Sequence, residues 1–228
     1  MVARWIPKAL GLQQRMNIHA IYGRISPWFR RRRMARFQAI LRPTEQTRIL
    51  DVGGFPVCWP ENECPAHITC INLDRETGFV ETPRRRMLHG DGCALAFGNR
   101  TFDIAFSNSV IEHLGTWENQ QKFAAEARRV GGQVWVQTPA RWFFIEPHLM
   151  APFIHFLPTA WQRPLLRWFT VWGWLTKPTP AQVDAFLAEV RLLNFAEMQK
   201  LFPDCRIERE SFLLCFTKSY IAVRERTS

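Results

Sequence analysis

An α/β domain with a mostly parallel sheet covered by helices on both faces is the fold class this sequence predicts, and three observations predict it. Short apolar runs alternate with helical patterns from about residue 48 to residue 138, the rhythm of β-α-β units. The chain has 228 residues, enough for one well-filled domain and too few for two of ordinary size. Its composition is 47% hydrophobic, with eighteen Phe and ten Trp, which excludes a disordered chain.

The elements follow in order. Residues 28–41 read as a basic, partly amphipathic helix, with Phe29, Met34, Phe37, Ile40 and Leu41 near helical spacing and Pro43 closing it. Strands are expected at 48–52, 67–73, 102–107 and 133–138; the region before Gly90, where a third strand belongs, signals one only weakly. The best-defined helix is 116–130, with Glu118 four residues before Lys122 and Gly131-Gly132 at its end. Residues 180–193 and 194–202 read as helices. Residues 205–216 and 218–224 read as a closing pair of strands, suited to an antiparallel edge.

Charge divides the chain. Residues 1–48 hold eleven Arg or Lys against the single acid Glu45, whereas the remainder carries nineteen of each sign, so the net charge of +10 belongs to an N-terminal arm. Residues 1–44 are therefore read as a basic helical arm, and residues 45–228 as the main domain. Arg30 to Arg33 spread around a helix instead of forming one stripe, which favours a solvated face, although contact with an anionic membrane or a polyanion stays open.

The six cysteines form no C-x-x-C pair and match no zinc spacing, so free thiols in a reducing compartment and no metal site are expected. The Arg-rich start, Met1 to Arg24, lacks the apolar core of a secretory signal but shares features with an organellar transit segment. The most apolar stretch, Trp142 to Leu175, is broken by Glu146, His148, His155, Arg163, Arg167 and several prolines, leaving no span of about 18 apolar residues. A cytoplasmic protein, peripheral to a membrane at most, is the expectation.

The chemistry begins at Ile49-Leu50-Asp51-Val52-Gly53-Gly54-Phe55, an apolar strand ending in an acid and two glycines. Glycine lets backbone N–H groups approach a ligand, and a carboxylate beside them accepts hydrogen bonds from an ammonium. A dinucleotide-binding turn requires G-x-G-x-x-G, and Gly53-Gly54-Phe55-Pro56 does not supply it. Asp74 closes the second strand 21 residues after Gly53, where open α/β sheets place an acid for ribose hydroxyls. Gly90-Asp91-Gly92 follows, and then Phe102 to Leu114, containing Ser107, Asn108, Glu112 and His113.

In that order and spacing, residues 45–140 resemble the class I S-adenosylmethionine-dependent methyltransferases, a Rossmann-like family, and within it the small-molecule group that includes ubiquinone/menaquinone-biosynthesis enzymes. The sharpest part is Phe102 to Leu114 followed by Glu126 to Gly132. The resemblance implies S-adenosylmethionine as cofactor. It assigns Asp51, Gly53 and Gly54 to the methionine moiety, Asp74 to the ribose, Asp91 and Gly92 to the adenine, and Ser107 and Asn108 to the floor beneath the sulfonium. Where the family's D-x-G-x-G-x-G has further glycines, this chain has Phe55 and Val57, with Pro56 stiffening the turn between them.

Methyl transfer chiefly requires holding donor and acceptor in line, with a base for a protonated acceptor. His113 is the candidate base; the competing reading is a packing or capping histidine beside Glu112. After the fifth strand, about residues 141–180 read as a helical, aromatic insert at the ligand-binding side of the sheet. It is either a lid that shapes an acceptor pocket through Arg141, Trp142, Glu146 and His148, or an extra helical layer with its own core. A small-molecule or lipid-like acceptor is expected. A nucleic-acid methyltransferase ranks second, since Ser107-Asn108-Ser109-Val110 lacks the Asp/Asn-Pro-Pro-aromatic signature of exocyclic amine methylation. A non-catalytic membrane-surface protein retaining the fold ranks third.

Overall fold

A computed structural model describes residues 29–60, 63–74, 79–146, 148–212 and 215–226. The Arg-rich start, Met1 to Arg24, lies outside them. Helix α1 spans 29–41. It is followed by β1 (Arg48–Val52), β2 (His67–Asn72), β3 (Arg85–His89), β4 (Phe102–Asn108), α2 (Trp117–Val130) and β5 (Gly131–Pro139). The insert contains the two-residue strands β6 (Ile145–Glu146) and β7 (Ala151–Pro152), then α3 (Thr159–Trp168) and α4 (Val171–Thr176). The chain closes with α5 (Pro180–Glu189), α6 (Phe195–Leu201), β8 (Arg206–Phe212) and β9 (Phe216–Arg224).

Seven strands form one sheet in the order β3-β2-β1-β4-β5-β9-β8, and β9 runs opposite to the other six. The sheet is Rossmann-like, mostly parallel, with its antiparallel member near one edge. Period-two alternation sorts the core into two layers. Ile49, Ile104, Phe106 and Trp135 face α1, while Leu50, Val52, Ala105, Val134 and Val136 face α2 and α6.

Helix α1 earns its place through Arg33, Met34, Phe37 and Leu41, its buried face. Phe37 is fully buried, with ring centroids 5.1 Å from Phe106, 5.5 Å from Trp135 and 6.0 Å from Trp59. Its arginines do spread around the helix, but the inner ones are not simply solvated. Arg33 donates to Asn108 Oδ1 at 2.6 Å and to Glu210 at 2.8 Å, and Arg36 pairs with Glu208 at 2.6 Å. Arg31 and Arg32 point outward.

One glycine and one arginine explain where pattern and structure part. Gly131 begins β5 directly, with φ −94°, so it is not a left-handed helix cap. Its missing Cβ matters because one would lie 2.6 Å from the Ala105 backbone nitrogen in the adjacent strand. Strand β3, weakly signalled because it reads Arg-Arg-Met-Leu-His, is an edge strand with Arg85 buried. The Arg85 guanidinium donates to the carbonyls of Trp59, Ala66, Arg84 and Cys64 at 2.8–3.0 Å and thereby anchors the loop before β2.

Helix α5 ends at Glu189, four residues short of the expected 193. Beyond it the chain straps back onto the turn after β4: Gly115 N–H donates to Glu189 O at 3.0 Å and Arg191 N–H to Glu112 O at 2.7 Å. The buried Gln120 amide holds the same strap, donating to the carbonyls of Ile111 at 3.0 Å and Arg191 at 2.9 Å. The insert thus returns to the carboxyl ends of the strands, and no described helix is long and apolar enough to cross a membrane.

Candidate functional site

The carboxyl ends of β1, β2 and β3, together with the turn after β4, enclose a cleft of about 100 Å³. Gly53, Asp74, Asp91 and Gly92 line it, beside Asn72, Gly90 and Glu189; its apolar wall is Val52, Phe55, Ile71, Leu73, Val110, Leu114 and Phe123. Four of the sequence-assigned cofactor residues therefore meet in one place.

Each is held by local geometry. The chain turns sharply at Gly53, whose φ of +82° disfavours any side chain, and a Cβ there would meet Val110 at 2.6 Å. Asn72, at the tip of β2, donates its side-chain N–H to Gly53 O at 2.8 Å, and its Oδ1 accepts from Asp74 N–H at 3.3 Å. One buried amide therefore ties the glycine turn to the segment carrying Asp74. Asp91 accepts from Cys93 N–H at 2.8 Å, a local turn that sets its carboxylate at the cleft. The loop beyond it is pinned by Glu126, which accepts from Leu95 N–H at 2.7 Å, and by Arg129, which donates to Phe97 O at 2.6 Å.

The other four cofactor residues lie behind this lining. Asp51 has the parity of Ile49, so it projects toward the α1 layer, and Trp59 Nε1 donates to its Oδ2 at 2.7 Å. Its Oδ1 is buried with no hydrogen-bond partner. Burial raises the Asp51 pKa to about 7, against the opposing effects of the Trp59 hydrogen bond and the Arg30 charge. Gly54 packs directly over this carboxylate, since a Cβ there would overlap Asp51 Oδ2. Ser107 is buried and donates to Val52 O at 2.8 Å, and Asn108 is engaged by Arg33. These two brace β4 against β1 and α1.

The substitution of Phe55 and Val57 for glycine has a structural counterpart. Pro56 opens a 3-10 turn, Pro56–Cys58, and Phe55, 5% exposed, forms part of the cleft wall. The loop is reshaped, and the cleft is small beside the roughly 300–1,000 Å³ of ordinary small-molecule sites.

Next to the cleft lies a polar cluster built from two parts of the chain. Glu112 and His113, in the 3-10 turn Ile111–His113, are buried, and Thr138 Oγ1 donates to Glu112 Oε2 at 3.0 Å. His113 Nδ1 is 3.5 Å from Glu189 Oε1, the carboxylate that also lines the cleft. From the insert, His148 packs edge-on against His113 with centroids 4.7 Å apart, and its Nδ1 is 2.6 Å from Glu146 Oε1. Glu146 is buried and its Oε2 accepts from Leu149 N–H at 2.5 Å. Burial disfavours protonated His148, but Glu146, Glu112 and Glu189 outweigh it and hold its pKa above the ordinary value. Glu112, His113 and His148 each present a ligand atom within 4.8 Å of the others, a donor set of the type that holds divalent cations. Sequence spacing, which assigned no metal, had no means of bringing His148 to Glu112.

Arg141 and Trp142, the remaining expected acceptor contacts, are exposed on the outside of the insert, the guanidinium 5.6 Å over the indole. Trp172 is buried in a core formed by the insert and α5 with Leu149, Ile154, Leu166, Val183 and Phe186. The insert thus has its own core and also delivers Glu146 and His148 to the site. Asn72 and Glu189 were missed by sequence reasoning, which marked Phe55 only as standing where the resembling family has glycine. Only Asn72 carried a signal, a polar residue ending an apolar strand two positions before Asp74.

The sheet order and the cleft at the carboxyl ends of the strands are those of a Rossmann-like fold. A sequence family described as "Methyltransferase domain" matches residues 50–135, the segment from β1 to β5 that builds the cleft. Among curated proteins, none matches the chain in sequence. Solved structures share the fold at low identity. A candidate methyltransferase from an antibiotic biosynthesis pathway of Anabaena variabilis is 16% identical with TM-score 0.53, over 79% of this chain and 64% of that one. A candidate methyltransferase solved with the Trm112 activator of Haloferax volcanii is 11% identical with TM-score 0.55, over 91% and 92%. A protein of Rhodobacter sphaeroides described as a candidate Zn-dependent alcohol dehydrogenase is 12% identical with TM-score 0.50, over 83% and 86%. The chain spans 40% to 66% of the length of three solved structures that it resembles, the Anabaena protein among them. Fold alone does not choose a reaction; the domain match, added to it, supports methyl transfer with S-adenosylmethionine as cofactor.

Proposed function

We propose that this chain is an S-adenosylmethionine-dependent methyltransferase acting on a small-molecule or lipid-like acceptor. The observation that carries the proposal is the convergence of Gly53, Asp74, Asp91 and Gly92 on one cleft at the carboxyl ends of the strands. The residues fit the cofactor in part: Asp74 suits ribose hydroxyls and the wall of Val52, Ile71, Val110 and Phe123 suits an adenine face, whereas Asp51, buried behind the lining, does not reach it. When bound, the cofactor supplies an electrophilic methyl group.

This chain's residues then have three tasks. Gly53 and Asn72 fix the turn, and Asp74 and Asp91 orient the nucleoside. The cluster of His113, Glu189, Glu146 and His148 faces the acceptor side. There His113 is the proposed base, taking a proton from an acceptor O–H or N–H while Glu189 stabilises the imidazolium. Arg141 and Trp142 contact the acceptor only if the outer face of the insert folds over it.

The resemblance to ubiquinone/menaquinone-biosynthesis enzymes supports a small or lipid-like acceptor. The ion pairs that commit Arg33 and Arg36 to Glu210 and Glu208 weigh against the basic helix as a nucleic-acid track, and favour the small-acceptor reading. The outward Arg31 and Arg32 keep open a peripheral contact with anionic membrane. Titration with S-adenosylhomocysteine tests the assignment: Asp74→Ala weakens binding at least about tenfold, and an unchanged affinity removes Asp74 from the site.

A further inference from the structure

The insert between β5 and α5 carries an aromatic surface that its own folding does not require. Trp142, Trp161, Trp168 and Trp174 are 64–67% exposed, and Phe153 and Phe169 are 60% and 69% exposed. The apolar needs of the insert are met by the separate core around Leu166 and Trp172. The outer aromatics are contiguous in part: Trp142 stacks on Phe156 at 5.7 Å, and Phe156 meets Phe153 at 6.4 Å. On α3, Trp161 and Trp168 stand two turns apart on one face.

Charge identifies the occupant. Between residues 141 and 177 the only acid is Glu146, and it is buried; Arg163 pairs with Asp184 of α5 at 2.5 Å, and Arg141, Arg167 and Lys177 add positive charge. Arg141 and Arg167 lie over the rings of Trp142 and Trp168 at 5.6 Å and 5.3 Å. Indoles flanked by basic tips are the composition of an interface between hydrocarbon and anionic headgroups. A second copy of the same face would oppose like charges across a two-fold axis.

We propose that this aromatic, basic face of the insert docks on the surface of an anionic lipid bilayer. Contact is superficial, since no described helix is long and apolar enough to cross. The inference does not depend on methyl transfer, but it places the membrane on the element that also delivers His148 and Glu146 to the cleft.

The test uses the full chain with vesicles of phosphatidylcholine alone and of phosphatidylglycerol mixed with phosphatidylcholine. Expected are co-sedimentation with the mixed vesicles, weaker binding to phosphatidylcholine alone, and quenching of tryptophan emission by brominated lipid. Replacing both tryptophans, Trp161→Ser with Trp168→Ser, lowers the partition coefficient at least about tenfold at an unchanged melting temperature. Replacing Arg31 and Arg32 with Gln leaves most of the binding in place. Absence of wild-type co-sedimentation or quenching overturns the proposal. So does a double tryptophan variant that binds as wild type, or a wild-type dimer that the double variant dissolves without any effect of lipid. Binding abolished by the arm substitutions alone would assign the contact to α1 and overturn it as well. Binding of S-adenosylhomocysteine, measured in parallel, reports on the cleft separately.

Discussion

Trp59 Nε1 donates to Asp51 Oδ2 across 2.7 Å, while the other oxygen of the same carboxylate, buried beneath the Gly53-Gly54 turn, has no partner. One hydrogen bond does not compensate a buried negative charge, and burial accordingly raises the Asp51 pKa to about 7. A folded-state pKa above the ordinary value of 3.8 means that the folded chain holds the proton more tightly than the unfolded chain. Stability therefore falls as pH rises from about 4 to about 7, and the full penalty, on the order of 4 kcal/mol, remains above that range.

Asp51→Asn tests this directly. The variant keeps an acceptor for Trp59 but cannot ionise, so its melting temperature at about pH 8 should exceed that of wild type, with the difference vanishing near pH 4. Melting scans across pH check the outcome.

Phe55→Ala should enlarge the cleft at a position where the family this chain resembles has glycine. The expected result is tighter binding of S-adenosylhomocysteine by several-fold, together with a stability loss of about 3–5 kcal/mol for truncating a buried Phe. Denaturant unfolding and calorimetry measure the two effects independently.

His113→Ala should lower turnover by about 10²–10⁴ if the acceptor must lose a proton, with cofactor affinity unchanged. Wild-type turnover in the variant would leave His113 as a packing residue.

Glu146→Gln addresses the second histidine. Because the carboxylates around His148 overcome its burial and raise its pKa above 6.5, the stability they provide is present below that value and is lost as pH rises through the folded-state pKa. The melting-temperature deficit of the variant should be larger at about pH 6 than at about pH 9. A deficit independent of pH would mean that Glu146 acts only as the acceptor for Leu149 N–H.

Much of the fold was legible because period-two alternation and glycine-marked turns are local signals. Arg48 to Val52, Phe102 to Ser107 and the helix after Thr116 lie within a residue or two of their expected bounds. Strand β3 was obscured because its most buried side chain, Arg85, is satisfied by carbonyls distant in sequence. Within the site, Asp74 and the Gly90-Asp91-Gly92 turn were readable from their offsets after strands. The inward face of Asp51 was readable only through its shared parity with Ile49, and the meeting of His148 with His113 depends on how the insert folds back. Spacing along a chain contains no record of such a long-range return.

The most direct measurement is calorimetric titration of the full chain with S-adenosylhomocysteine, beside Asp74→Ala. The account predicts one site per chain, weakened at least about tenfold by the substitution, and stabilisation of about 2.7 kcal/mol when ligand reaches 100 times its Kd. No heat and no change in melting temperature with the folded wild-type chain at saturating ligand would contradict it.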